Sequence, residues 1–179
     1  MEIEYRTARG EDAAAVLDYC RVIGAQTRNL TFGAAGLPLG EEEERAFLQR
    51  QEQSEGDATL LAFDGAQLVG MAGVSRIARS ARLRHRASVS VSVRKSHWRK
   101  GIATALMRLC IERARRMGCT VLQLEVLCEN TAAVRLYEKL GFAEAGRFAR
   151  FFRYEDGTFA DAFLMTLDLT GQEGDAHEV

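Results

Sequence analysis

Two stretches of this chain bring together residues whose types and spacing could do chemistry. In the first, Val91-Ser92-Val93 leads through a basic turn containing Trp98, Arg99 and Lys100 to Gly101, where Ile102-Ala103-Thr104-Ala105-Leu106-Met107 begins an apolar helical pattern. A strand that ends in such a turn aims the unbonded N–H groups of the next helix at whatever occupies the crevice, and those donors suit a phosphate or pyrophosphate. Gly101 and the small Ala103 allow close approach to the backbone, Arg99 and Lys100 add positive charge, and the Thr104 hydroxyl is a further donor. The turn matches neither GxxxxGK[ST] nor GxGxxG, which removes the P-loop and dinucleotide-fold readings. In the second stretch, the strand pattern Val121 to Val126, carrying Glu125, precedes Asn130 to Phe142, a helix that bears the phenol of Tyr137.

Other reactive side chains are more isolated. Cys20, Cys110, Cys119 and Cys128 lie far apart without a CxxC and read as reduced thiols, and neither Cys119 nor Cys128 has a sequence neighbour that could serve as its base. His85 and His97 flank loops and are expected to meet solvent, while His177 falls in a polar tail. The histidines are scattered without HxxxH or HExxH spacing, so no metal site is expected.

Taken together, Val91 to Met107 and Gln123 to Phe142 resemble the two cofactor-binding motifs of the GCN5-related N-acetyltransferases. The family's pyrophosphate loop reads Gln or Arg, two residues, Gly, one residue, Gly or Ala. Gly101 and Ala103 meet the last two requirements, while Trp98 stands where Gln or Arg is expected and offers only its backbone N–H. The other motif agrees at Asn130, Ala133, Tyr137 and Leu140-Gly141-Phe142.

The resemblance implies acetyl-CoA as co-substrate, lying in a splay between the strands Ala87 to Val93 and Val121 to Val126. It places the pantetheine arm against the backbone of Val91, Ser92 and Val93, and the pyrophosphate on the amides of Trp98, Arg99, Lys100, Gly101, Ile102, Ala103 and Thr104. Asn130 and Ala133 would border the cofactor, and Tyr137 would act as the general acid. Many relatives carry a glutamate in the strand before the loop, but Ala87, Ser88 and Ser90 stand here. That departure points to deprotonation of the amine through ordered water, helped by Glu125 or a strand carbonyl.

The elements that must position these groups follow from periodicity and turn chemistry. Ile3 to Arg6 alternates as a strand, and Asp12 to Asn29 has helical spacing. Gly33 to Gly40 with Pro38 interrupts before a helix from Glu41 to Gln53 that turns Phe47 and Leu48 inward. Leu60 to Phe63 and Leu68 to Val74 flank Asp64-Gly65-Ala66-Gln67 as a hairpin. In Ala87 to Val93 valines alternate with serines, giving one apolar and one hydroxylated face. A helix from Ile102 to Met117 ends at Gly118, Asn130 caps a helix over Thr131 to Lys139, and Phe148 to Tyr154 pairs with Thr158 to Leu167 around Glu155-Asp156-Gly157. This order predicts one mixed α+β domain over residues 1–169, a twisted mixed sheet flanked by helices with a C-terminal hairpin, and a fraying tail over 170–179.

Twenty-four basic against twenty-five acidic residues give a net charge of -1, which supplies no global field for nucleic acid even with the arginine-rich connection Arg76 to Arg86. No run is long and apolar enough for a membrane span, and the start of the chain has no apolar signal core, so a cytoplasmic protein is expected. The acceptor is expected to be a small amine or amino acid. It would enter over Thr27 to Glu44 and the terminal hairpin, where Leu30, Phe32, Phe148, Phe151, Phe152 and Tyr154 offer apolar surface. A protein N-terminal amine is the alternative acceptor, and a non-catalytic acyl-CoA-binding domain the alternative function. The aromatic run near the last strands also predicts a homodimer.

Overall fold

The computed structural model describes residues 2–54 and 56–171. Of the polar tail expected from Thr170, residues 172–179, His177 among them, lie outside the described residues. In chain order the elements are β1 (Ile3–Thr7), α1 (Ala13–Gln26), α2 (Glu41–Glu52), β2 (Ala58–Asp64), β3 (Gln67–Arg76), β4 (Arg86–Val93), α3 (Ile102–Arg116), β5 (Val121–Leu127), α4 (Thr131–Lys139), β6 (Ala143–Arg153) and β7 (Phe159–Asp168). The strands form one sheet of order β1-β2-β3-β4-β5-β7-β6, in which β4 and β5 run parallel and the other neighbours antiparallel.

Both faces of β2 are covered because its residues alternate between two cores. Leu60 and Ala62 join Ile102, Leu106 and Cys110 of α3, whereas Leu61 and Phe63 join Val16, Tyr19 and Ile23 of α1 and Leu48 of α2. The same alternation sorts β4: Ala87 and Val89 pack toward α3, so Ser88, Ser90 and Ser92 look toward α1 and α2. In β5, Leu122, Leu124 and Val126 face α3, leaving Gln123 and Glu125 on the other side. No described helix is long and apolar enough to cross a membrane, and all four cysteines are free.

Several expectations need correction. Phe47 does not turn inward: α2 buries Glu44 and Leu48, one turn apart, and this rotation leaves Phe47 42% exposed. Burial raises the Glu44 carboxyl above its ordinary range. α1 stops at Gln26 rather than Asn29, because Thr27 is extended and its hydroxyl accepts a hydrogen bond from the Asn29 N–H at 3.2 Å. β6 begins at Ala143 rather than Phe148; it is an edge strand exposed over most of its length, so no apolar alternation marked its first half.

The start of α1 is tied to β1 by Asp12. Arg6 donates to both carboxylate oxygens at 2.7 Å, and the Arg9 N–H donates to Oδ2 at 2.8 Å. The Arg6 hydrogen bonds are the largest cause of the lowered Asp12 pKa. A lowered folded value stabilises the fold above the ordinary carboxylate range, and that contribution disappears as pH falls through the folded value. Asp12→Ala should therefore cost about 2 kcal/mol near neutrality. In urea unfolding at stepped pH, the gap between parent and variant should close in acid; a constant gap would refute this account.

Candidate active site

The site is built around a place where two neighbouring strands separate. β4 and β5 pair only at Arg86 with Val121, Ala87 with Leu122 and Ser88 with Gln123. Beyond that point β4 is held by β3, and β5 by β7 along its full length. The phase of the β3–β4 ladder decides which groups the separation leaves open. Arg94 N–H donates to the Val69 carbonyl at 2.8 Å, and Ile77 N–H to the Arg86 carbonyl at 3.1 Å. Bonded positions alternate in an antiparallel pair, so Ser88, Ser90 and Ser92 bond β3 while the backbones of Val89, Val91 and Val93 face the gap. Val91 and Val93, two of the expected cofactor contacts, thus line the open strand edge, although the Val93 carbonyl is already engaged by the Trp98 indole N–H. Ser92 does not: its backbone faces β3, and its hydroxyl lies 3.0 Å from the Tyr19 hydroxyl.

Past β4, a turn of 3₁₀-helix over Lys95–His97 leads to Trp98, Arg99, Lys100 and Gly101. Gly101 caps α3 at φ 81°, a left-handed conformation that side chains resist. Within the first turn, only Ala105 N–H finds an intrahelical partner, the Gly101 carbonyl at 3.0 Å. No described side chain caps this helix and no acidic residue lies in its first turn, so the N–H groups of Ile102, Ala103 and Thr104 point outward beside the exposed Arg99 and Lys100. Trp98 has a structural task here. Its indole N–H donates to the Val93 carbonyl at 2.7 Å, which pins the turn back onto β4.

His97 was expected in solvent and is buried. Its Nε2 lies 3.1 Å from Asp64 Oδ2 and its Nδ1 2.9 Å from the Ser96 hydroxyl, so it fastens the β2–β3 turn to the loop that precedes α3. His85 is exposed, as expected.

Tyr137 is placed by the way α4 ends. Phe142 N–H donates to the Tyr137 carbonyl and Gly141 N–H to the Glu138 carbonyl, both at 3.0 Å, with Gly141 at φ 91°. This is the Schellman arrangement, and its usual apolar contact is present as an edge-on packing of Tyr137 and Phe142 with ring centres 5.9 Å apart. At the other end, the Asn130 side chain accepts from Ala133 N–H at 3.3 Å, so Asn130 caps the helix as expected. Burial, and secondarily the neighbouring Cys110 thiol, pushes the Tyr137 phenol up to about 12. No described group hydrogen-bonds its hydroxyl, yet among the described residues no fully buried side-chain oxygen is left unpartnered. The tip of the ring therefore reaches open space.

On the opposite face, a cleft of ≈ 580 Å³ lies between α2 and the strands. Phe47, Arg50, Arg79, Ser88, Ser90 and Glu125 are among the residues that line it. Glu125 is exposed in it and has no ion-pair partner among the described residues. The apolar and aromatic residues expected to line an acceptor do not border this cleft. Leu30 and Phe32 pack against the α1 core, and Phe152 and Tyr154 pack on Leu127, Ala160 and Ala162. Sequence reasoning missed Arg50 as a site residue, and the helical spacing of Phe47, Arg50 and Gln51 was the signal that could have found it. Of the arginine-rich connection, Arg76 donates to the carbonyls of Arg84 and Met117, Arg86 to the Gln123 side chain, and Arg79 reaches the cleft.

An open strand edge leading to an uncapped helix start, with a phenol on one face and a carboxylate on the other, defines an acyl-CoA-dependent transferase type of site. The sequence profile of the Acetyltransferase (GNAT) family matches residues 25–142. An acetyltransferase of the GNAT family from Streptococcus pneumoniae is 32% identical with a TM-score of 0.89, over 93% of this chain and 99% of that one. Among curated proteins, the [Ribosomal protein bS18]-alanine N-acetyltransferase of Escherichia coli K12 is 35% identical over 81 residues, 45% of this chain and 54% of that protein. The N-alpha-acetyltransferase RimI of Mycobacterium tuberculosis is 34% identical over 107 residues, 60% of this chain and 63% of that protein. The matched region thus spans about half to three-fifths of the curated relatives' length. The chain belongs to the GNAT family of acetyl-CoA-dependent N-acetyltransferases.

Proposed function

We propose that this protein moves an acetyl group from acetyl-CoA to the primary amine of a small molecule or amino acid by direct attack, both substrates being bound together. The observation that carries this reading is the open edge of Val91 and Val93 running toward the uncapped start of α3. These residues fit acetyl-CoA: an extended amide arm can add to the strand edge, and a pyrophosphate can take the N–H groups of Ile102, Ala103 and Thr104 with Arg99 and Lys100 beside it. Acetyl-CoA supplies the activated carbonyl, so the protein needs no covalent intermediate of its own.

The remaining chemistry belongs to side chains. An acceptor ammonium must lose its proton before it attacks, and Glu125 in the cleft takes it, with the hydroxyls of Ser88 and Ser90 available to hold an intervening water. Tyr137 packs in the core on the α3 face of the sheet, the face opposite Glu125. With its pKa pushed up to about 12 it keeps its proton at neutral pH, which suits it to protonate the departing thiolate. The second reading, a protein N-terminal amine as acceptor, is favoured by the names of the curated relatives. Both readings use the same base, acid and cradle.

Two sets of variants test this assignment. Gly101→Ala adds only backbone strain, about 1 kcal/mol, whereas Gly101→Glu also sets a carboxylate against the proposed pyrophosphate. Calorimetry should find acetyl-CoA at least about tenfold weaker for Glu than for Ala, and equal affinities would sink the cradle assignment. Tyr137→Phe should lower kcat by about 10²-fold with acetyl-CoA affinity retained. Glu125→Gln should lower kcat by at least about tenfold, again with acetyl-CoA affinity retained. An unaltered kcat in either variant would remove that residue from its role.

A homodimer is proposed through the side chains of β6. Phe148 and Phe151 are 46% and 40% exposed on this edge strand, with ring centres 5.8 Å apart. The register shift between Phe148 and Phe152, with Arg150 at φ 55°, breaks the strand edge and disfavours continuous sheet pairing. Light scattering should give about twice the chain mass of 19.9 kDa, falling to one chain in the Phe148→Ser, Phe151→Ser double variant. A single-chain mass for the parent at all concentrations would overturn the dimer.

A further inference from the structure

The cleft beside Glu125 holds guanidinium groups for which a bare amine acceptor has no use. Arg50 reaches it from α2 and Arg79 from the β3–β4 connection, and neither has a hydrogen-bond or ion-pair partner among the described residues. Many other arginines are matched: Arg6 with Asp12, Arg28 with Asp156, Arg45 with Glu41 and Arg147 with Asp161. Asp57, the other carboxylate lining the cleft, accepts the neutral backbone N–H of Arg76 at 2.9 Å and keeps its charge. The charged lining is therefore two unpartnered guanidinium groups and two carboxylates. A bare ammonium would leave both guanidinium groups unmatched, whereas an amine carrying its own anion would meet opposite charge at both ends.

We propose that the acceptor is a small amino carboxylate, its anionic group held by Arg50 and Arg79 and its amine turned toward Glu125. The inference rests on the reading of this cleft as the acceptor side of an acetyltransferase. Guanidinium forks match carboxylate oxygens in bidentate geometry, which orients the ligand as well as attracting it. The cleft volume of ≈ 580 Å³ is of small-ligand size, and the half-exposed Phe47 offers apolar contact to a carbon side chain. A peptide N-terminus fits the charge pattern less well, because a neutral amide replaces the carboxylate nearest its amine.

The experiment measures CoA release with L-phenylalanine, L-methionine and L-glutamate, each beside its α-methyl ester, its decarboxylated amine and a tetrapeptide with the same N-terminal residue. Esterification makes the amine less basic, so more of it is deprotonated at neutral pH and chemistry alone favours the ester; preference for the acid therefore reports the anion site. The expected result is at least a tenfold higher kcat/KM for an acid than for its ester, amine and peptide. Arg50→Gln and Arg79→Gln should each raise KM for the acid at least fivefold, with kcat and acetyl-CoA affinity held, and the double variant should bring acid and ester within threefold. Esters, amines or peptides used as well as acids would overturn the anion proposal and leave the acetyltransferase reading standing. So would acetyl-CoA binding with no turnover of any acid. Failure to bind acetyl-CoA at all would instead defeat the underlying reading, and the proposal with it.

Discussion

Backbone hydrogen bonding decides where this protein can act. A sheet strand normally satisfies its N–H and C=O groups on both sides, yet β4 and β5 stop pairing after Ser88 and Gln123. The separation is tolerable because each strand keeps a full partner on its outer side. β4 runs in register with β3 from Ala87 to Val93, and β5 with β7 from Val121 to Leu127. Apart from the Val93 carbonyl, which Trp98 holds, the inner edges are left to water or to another extended chain. Every other part of the site is arranged around that opening: α3 begins where β4 ends, α4 follows β5, and the cleft lies on the far face.

The gap also divides the chemistry. Alternation along β4 and β5 places Val89 and Leu124 on the α3 side and Ser88, Ser90 and Glu125 on the α1–α2 side. The Tyr137 phenol, anchored by α4, therefore lies in a largely apolar setting that raises its pKa, while the Glu125 carboxylate lies in a polar cleft open to solvent. The proposed roles of acid and base ask for such opposite environments, and one sheet with a gap holds both. Trp98 and His97 serve the same geometry at one remove. Each ties the turn before α3 to a strand or hairpin, so the helix start is held by side-chain bonds as well as by chain connectivity.

Much of this was legible before any coordinates. The Val–Ser alternation, the glycine before an apolar helix, the Asn130 cap and the Leu140-Gly141-Phe142 ending are short-range patterns, and each formed as expected. The errors came where packing against a distant element decides. Phe47 and Leu48 are equally apolar neighbours, and only the docking of α2 on α1 and β2 selects Leu48 for the core. His97 looks like a loop residue until Asp64 arrives from the hairpin beside it. Phe152 and Tyr154 of the C-terminal hairpin, expected as substrate lining, also cover Leu127, Ala160 and Ala162, a task that only long-range packing assigns.

By itself the sequence determined the order and class of the elements, the turn at Gly101 and the helix that carries Tyr137, because these follow from backbone sterics, capping and hydrophobic period within a few residues. Tertiary structure alone decided which strand edge stays unpaired and which charges share a cleft. Arg50, Arg79 and Glu125 come from a helix, a connection and a strand far apart in the chain. Their meeting depends on sheet order, register and the docking of α2, which are properties of long-range pairing that no local pattern encodes.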